Sequence, residues 1–216
     1  MRFIDLKAAD SNVALAPNFV LSEFMLLYKG RFALTQVHFI ETLQMLREES
    51  GGAIYVNSGF RSPGYNDSVG GVEHSRHIFG DAVDMYSGVL GLEALGALCE
   101  DLGADYVGLY ESHVHCDWRQ SPLDPAFFDE ASNRSAVQSA SNTPFQGWLV
   151  HTDAGWTAPA LGFGEGEPLR VWEALDESGR LLHRTSGRSF VPPDRTAEVR
   201  VVVGGQIRLA ERLSIR

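Results

Sequence analysis

The segment YESHVHCDWR, residues 110–119, restricts the fold more than any other stretch of this 216-residue chain. Along an extended strand, successive side chains point to opposite faces. One face then carries Tyr110, Ser112, Val114, Cys116 and Trp118 and is mostly apolar. The other carries Glu111, His113, His115, Asp117 and Arg119, all ionisable. The apolar face needs a core beneath it. The ionisable face reads either as a plain solvated surface or as a site, and two histidines at its centre favour a site.

A second polar segment, HSRHIFGDAVDM at 74–85, offers His74, His77 and Asp84 as metal donors. Zinc takes imidazole nitrogen and carboxylate oxygen, and catalytic zinc sites use three protein ligands plus a water. The spacing of seven between His77 and Asp84 is not helical. It fits a loop or turn residue followed by a strand residue, both aimed at one point, with Gly80 allowing the bend. Ala82 shares a strand face with Asp84, and its small side chain leaves room beside a metal. His74 has no part in this arrangement. Cys99 and Cys116 show no CxxC zinc spacing, so a metal here rests on His and Asp. Two cysteines do not make a disulfide framework, and they are expected to be unbridged.

The rest of the chain reads as α+β. Residues 1–20 look irregular, and a short helix is expected near Ser22. Leu34, Val37, Ile40, Leu43 and Leu46 recur at helical spacing, and Gly51-Gly52 end that helix. AIYVN (53–57) is β-rich. SGFRSPGYNDSVGG (58–71) has the composition of a long functional loop. DAVDMY (81–86) reads as a strand and 90–102 as a helix. DYVGLY (105–110) and HVHCDW (113–118) read as two strands or one broken hairpin. Residues 126–146 read as a linker between a first domain, 1–125, and a small all-β domain, 147–216, for which a sandwich-like arrangement of about five or six strands is one expectation. In that domain Trp148, Trp156 and Trp172 are candidates for stacking on sugar. Core packing is the competing reading for Trp148 and Trp172, which sit in strand patterns.

Charge narrows the function. Residues 1–140 hold 9 Lys and Arg against 19 Asp and Glu, whereas residues 141–216 hold 9 of each sign. The net charge of −10 therefore lies in the first part, which argues against nucleic-acid binding. No apolar run is long enough for a membrane span. The start, MRFIDLKAAD, lacks the apolar region of a signal peptide. Either the protein works in the cytoplasm, or a leader is missing from this chain, or it leaves by another route.

Ser75, His77, Gly80, Ala82 and Asp84 spell S-x-H-x-x-G-x-A-x-D, and about thirty residues on comes a strand H-x-D. With SGFRSPGYN…VGG and FVLSEF upstream, this pattern resembles the M15-type zinc D-Ala-D-Ala carboxypeptidases and peptidases, over roughly residues 17–120. GADYVGLYESHVHCDWR is also similar to a segment of the hedgehog signalling domain. The resemblance implies the fold of that zinc-peptidase group, a small antiparallel sheet with flanking helices, and a Zn2+ cofactor held by His77, Asp84 and His115. It implies Arg61 as the arginine that holds a substrate carboxylate or polarised carbonyl, and Ser75 as a residue near substrate or orienting a ligand. Asp117 would steer an imidazole through its second N–H. Family members commonly carry Glu or His three residues before the last zinc histidine, but here that residue is Ser112. The general base is then His113 or Glu111, both on the face of His115. The implied activity is zinc-dependent hydrolysis of a peptide bond involving a D-amino acid in peptidoglycan-derived peptides, as a carboxypeptidase or an endopeptidase. The implied place is the cell envelope or periplasm. The competing reading is a hedgehog-like zinc protein that binds without cleaving. The β region could bind cell wall, dimerise or cover the cleft.

Overall fold

The computed structural model describes residues 1–72, 74–119, 144–164 and 166–213. The N-terminal stretch, read as irregular, contains strand β1 (Arg2–Asp5), then β2 (Ala14–Ala16) and β3 (Phe19–Val20), a tight hairpin. Helix α1 (Leu21–Phe24) follows, begun by Val20 and not by Ser22; the Glu23 carboxylate accepts from the Val20 N–H at 2.7 Å. Strand β4 (Phe32–Thr35) pairs with β1. Helix α2 (Val37–Glu49) buries Ile40, Leu43 and Leu46 of the expected stripe, with Phe39 beside them, whereas Leu34 lies in β4 and not in the helix.

The central sheet has the order β5-β6-β8-β7, with β5 (Ile54–Ser58), β6 (Ala82–Ser87), β7 (Tyr106–Leu109) and β8 (Val114–Asp117), every pair antiparallel. Val83, Met85, Val114 and Cys116 enter the core with Leu43, Leu46 and Trp118. Each large apolar side chain so buried contributes about 1.5–3 kcal/mol. The alternation therefore places Asp84, His115 and Asp117 on the opposite face. Helix α5 (Leu92–Asp101) covers the core face through Leu95 and Cys99.

Two readings are corrected here. The stretch 58–71 is not all loop: helix α3 (Pro63–Ser68) starts at Ser62, whose hydroxyl accepts from the Tyr65 N–H at 3.3 Å, with proline in its first turn. And Cys99 of α5 is disulfide-bonded to Cys116 of β8, so the expectation of unbridged cysteines fails. Helix-to-strand packing brings the two together, which a separation of 17 residues does not reveal.

Strand β9 (Gln146–Gly147) pairs with β12 (Ala160–Leu161), and β10 (Val150–Thr152) and β11 (Gly155–Thr157) form a hairpin extended by β15 (Ser189–Phe190). A second four-stranded sheet runs β14-β13-β16-β17: β13 (Arg170–Leu175), β14 (Leu181–Ser186), β16 (Glu198–Val203) and β17 (Ile207–Arg212). Trp156, Trp172, Phe190, Val199 and Val201 form its own core. Trp172 packs as its strand pattern indicates; Trp148 does not, being 45% exposed. The expected linker, 126–146, falls mostly outside the described residues.

This β region covers the edge strand β7. Leu109 N–H donates to Gly204 O (3.1 Å), Leu169 N–H to Leu109 O (3.0 Å), and Glu111 N–H to Glu167 O (3.0 Å). An uncovered edge is a template for unwanted strand pairing. Phe145 stacks on Tyr106 of β7 and packs against Phe163.

Candidate metal centre

Helix α4 (Arg76–Phe79) is a single turn whose end is set by Gly80, φ 69°. A Cβ at Gly80 would lie 2.3 Å from the Leu34 carbonyl oxygen, so the left-handed turn and the close approach to β4 both require glycine. The buried Asp81 carboxylate takes the Arg76 guanidinium, Nε to Oδ1 at 2.9 Å, and so ties α4 to the start of β6. Between the two partners His77 turns inward, fully buried. On the sheet, Asp84 of β6 stands directly opposite His115 of β8.

These placements bring three donors together. His77 Nε2 lies 3.2 Å from Asp84 Oδ1 and 3.3 Å from His115 Nδ1, and His115 Nδ1 lies 2.8 Å from Asp84 Oδ1. All three ligand atoms fall within 4.8 Å of one another. The second nitrogens are committed elsewhere. His77 Nδ1 is 2.6 Å from Gly59 O, a contact that makes this nitrogen the donor and leaves the Nε2 lone pair facing the cluster. His115 Nε2 is 3.5 Å from Asp117 Oδ2, and the Arg119 guanidinium holds Asp117 with two bonds of 2.7 and 2.8 Å. Two imidazoles oriented by oxygen partners plus a carboxylate fit a catalytic zinc ion in number and kind.

The electrostatics follow. Burial works against charge on Asp84, but His77 and His115 outweigh it and hold the carboxyl well below its usual range. Burial likewise opposes charge on His115, yet Asp117 and Asp84 push it up to about 10. The cluster is thus a charged, hydrogen-bonded group that a metal would organise.

The other predicted site residues divide. Arg61 is buried; its Nη2 donates to Asp84 Oδ2 at 2.6 Å and its Nε to Ser58 Oγ at 3.0 Å. Ser75 is buried as the residue preceding α4, with no side-chain cap. His113 is buried, stacks on Tyr110 at 4.7 Å between ring centroids, and sets Nε2 4.0 Å from Asp84 Oδ1. Glu111 goes elsewhere. Residues 110–113 form the connection between β7 and β8, so the strand alternation starts only at Val114, and Arg188 grips the Glu111 carboxylate at 2.8 and 2.6 Å. Beside Arg61 opens a cavity of about 270 Å3, lined by Ser58, Arg61, Tyr65, Val69, Gly71 and Gly164. Gly164 belongs to the β region, and nothing in its local sequence marked it.

Comparison with known proteins agrees with this geometry. Residues 17–117 match the family described as Peptidase M15. A zinc D-Ala-D-Ala carboxypeptidase of Streptomyces albus G is 40% identical over 80 residues, which are 34% of this chain and 31% of that relative. The chain thus matches about a third of the length of the relative, and all three donors lie inside the family match.

Proposed function

We propose that the chain is a zinc metallopeptidase that cuts a peptide bond next to a D-amino acid in bacterial cell-wall peptides, a reading supported by the match of residues 17–117 to the Peptidase M15 family. The observation that carries this reading is the His77, Asp84, His115 donor set with a fourth polar side chain, His113, just 4.0 Å from Asp84. His77, Asp84 and His115 would hold the ion. Bound there, zinc supplies Lewis acidity and lowers the pKa of a water towards about 7.

The chain's own residues perform the remaining work. His113 Nε2 accepts a proton from the attacking water and returns it to the leaving amine. Tyr110, stacked face to face with the His113 ring, fixes its orientation. Arg61 sits against Asp84 and supplies positive charge where negative charge develops on the scissile carbonyl. Asp117, itself held by Arg119, keeps the His115 ring aimed. Glu111, held by Arg188, serves to dock the β region and not as the base. The buried Cys99–Cys116 disulfide suits an oxidising compartment, which supports a site of action in the cell envelope.

The test begins with zinc content of the purified protein, then D-Ala release from a pentapeptide and cleavage of whole peptidoglycan. Replacing His113 by Ala is expected to lower kcat by about 10²–10⁴-fold with zinc content unchanged, the usual worth of a general base. Glu111→Ala should cost far less. A zinc-loaded protein that cleaves neither substrate refutes the hydrolase reading, and full activity in His113→Ala refutes the choice of base.

A further inference from the structure

The family match ends at residue 117, yet side chains from beyond it reach the candidate site. A file of aromatic rings runs from the β region towards the metal donors. Phe145 and Phe163 pack at 4.7 Å between ring centroids, their planes 41° apart. Phe163 meets Tyr110 edge to face, at 6.3 Å and 86°. Tyr110 stacks on His113 at 4.7 Å, with the planes 13° apart. His113 Nε2 in turn lies 4.0 Å from Asp84 Oδ1. Stacked and edge-to-face rings attract because the negative face of one meets the positive edge of the other, so each ring sets the tilt of its neighbour. Phe145 also makes a separate branch, stacking on Tyr106, whose ring lies 5.6 Å from that of His115.

Phe163 is seated on bare backbone. A Cβ at Gly204 would lie 2.1 Å from Phe163 Cε1 and 2.6 Å from Cζ, so the ring occupies the space that a side chain at 204 would need. Gly204 is itself pinned: its N–H donates to Leu169 O at 2.8 Å, and its carbonyl accepts from Leu109 N–H at 3.1 Å. The seat of Phe163 is thus part of the docking that covers β7. Tyr110 is 1% exposed, and its N–H donates to His113 O at 3.0 Å, which closes the turn that carries the histidine. Backbone pairing with Pro168 holds Tyr110 from the side of the β region. The main chain therefore fixes where Tyr110 stands, and Phe163 packs against the edge of its ring arrangement. In the sequence Phe163 lies between Gly162 and Gly164, neither of which has a side chain to share that contact.

We propose that Phe163 is a positioning residue for the reaction: seated on Gly204, it holds the Tyr110 ring against His113 and so keeps His113 Nε2 aimed at the metal donors. The β region is then a working part of the site, although it lies outside the family match. The inference rests on the hydrolase reading above for the role of His113 as base, but the link from Phe163 to the His113 ring stands on geometry alone. Phe163 touches no reacting atom. Its removal takes away the edge contact of Tyr110 and frees that ring, and the His113 ring with it, to tilt. A misplacement of about 1 Å is enough to cost on the order of 10²-fold in rate.

The experiment has two arms, both on the full-length chain. In the first, metal-free protein is followed by NMR at the His113 ring protons, identified as the signals missing from His113→Ala. Stacked on Tyr110, these protons should resonate upfield of those of a free histidine. Phe163→Ala should lose more than half of that displacement, and so should Gly204→Ala, whose methyl evicts the Phe163 ring. Leu181→Ala, at an exposed position of β14, should leave it unchanged. In the second arm, zinc-loaded protein is assayed for D-Ala release from a pentapeptide. Phe163→Ala should lower kcat about ten- to a hundredfold, with zinc content and KM little changed. Circular dichroism identifies a variant that fails to fold. Phe163→Leu, which keeps apolar bulk in the seat, then carries the comparison and should show both effects in weaker form. An unchanged His113 signal in folded Phe163→Ala or Phe163→Leu overturns the proposal. So does a kcat loss with no change in that signal, a loss of zinc, or an effect confined to KM. A wild type that cleaves nothing when zinc-loaded overturns the hydrolase reading, while the NMR arm still decides whether Phe163 sets the His113 ring.

Discussion

Reducing the Cys99–Cys116 bridge should weaken the protein by an amount that the chain topology sets. The bond joins helix α5 to strand β8 across 17 residues of sequence. Closing a loop of that length in the unfolded chain removes conformational entropy worth about 3 kcal/mol at 25 °C. With a urea slope of about 2 kcal/mol per M, the midpoint should fall by roughly 1.5 M. The melting temperature should drop by about 6–12 °C. Unfolding is followed by fluorescence, comparing oxidised protein with protein reduced by a phosphine and checked for two free thiols. Cys99→Ala/Cys116→Ala serves as the second form. It should lose somewhat more, because both cysteines are fully buried and their removal leaves space in the core. Since Cys116 lies between His115 and Asp117, zinc retention during dialysis should fall as well. A midpoint shift below about 0.3 M in fully reduced protein would show that the bridge does not constrain the unfolded chain, and the reasoning would be wrong.

Gly80→Ala places a methyl 2.3 Å from Leu34 O at φ 69°, so a loss of about 3 kcal/mol or more is expected in urea unfolding, with reduced zinc content; a loss under 1 kcal/mol would mean that α4 can end another way. Burial pushes the Asp81 carboxyl up to about 6 against the pull of Arg76. The folded state therefore binds the proton more tightly than the unfolded one, and this contribution to stability is complete below about pH 4 and is lost as pH rises through 6, by roughly 3 kcal/mol. The stability of wild type relative to Asp81→Asn should decline over that window, and a flat difference between pH 4 and 7 would contradict it.

What the sequence revealed and what it concealed divide along the range of the interactions. Strand alternation is a local property, so the core face of β8 (Val114, Cys116) and the site face (His115, Asp117) were legible from YESHVHCDWR. The His77–Gly80–Asp84 arrangement was legible because the bend is also local and is forced by one glycine. Tertiary pairings were not legible. The disulfide depends on how α5 lies on the sheet, and the partner of Glu111 lies 77 residues away at Arg188. Because β8 starts only at Val114, Glu111 falls in the connection before it and leaves the site face.

Whether the β region is an appended module or a part of the cleft turns on the edge strand. A tethered module would need few bonds to the first sheet, yet three backbone hydrogen bonds run between β7 and its continuation and residues 167–204. Gln206 adds a side-chain bond to Val107 O at 2.6 Å, and Arg188 grips Glu111 from the same side. Such bonds bury polar groups of an edge that would otherwise stay open, so detaching the region would expose both the edge and the apolar stack of Tyr106, Phe145 and Phe163. The same docking carries Gly164 to the lining of the cavity, which it shares with Tyr65 of α3 and with Val69 just after that helix. The β region therefore reaches the cleft lining, and its docking on β7 couples the second sheet to the metal donors His115 and Asp84, one and two strands away.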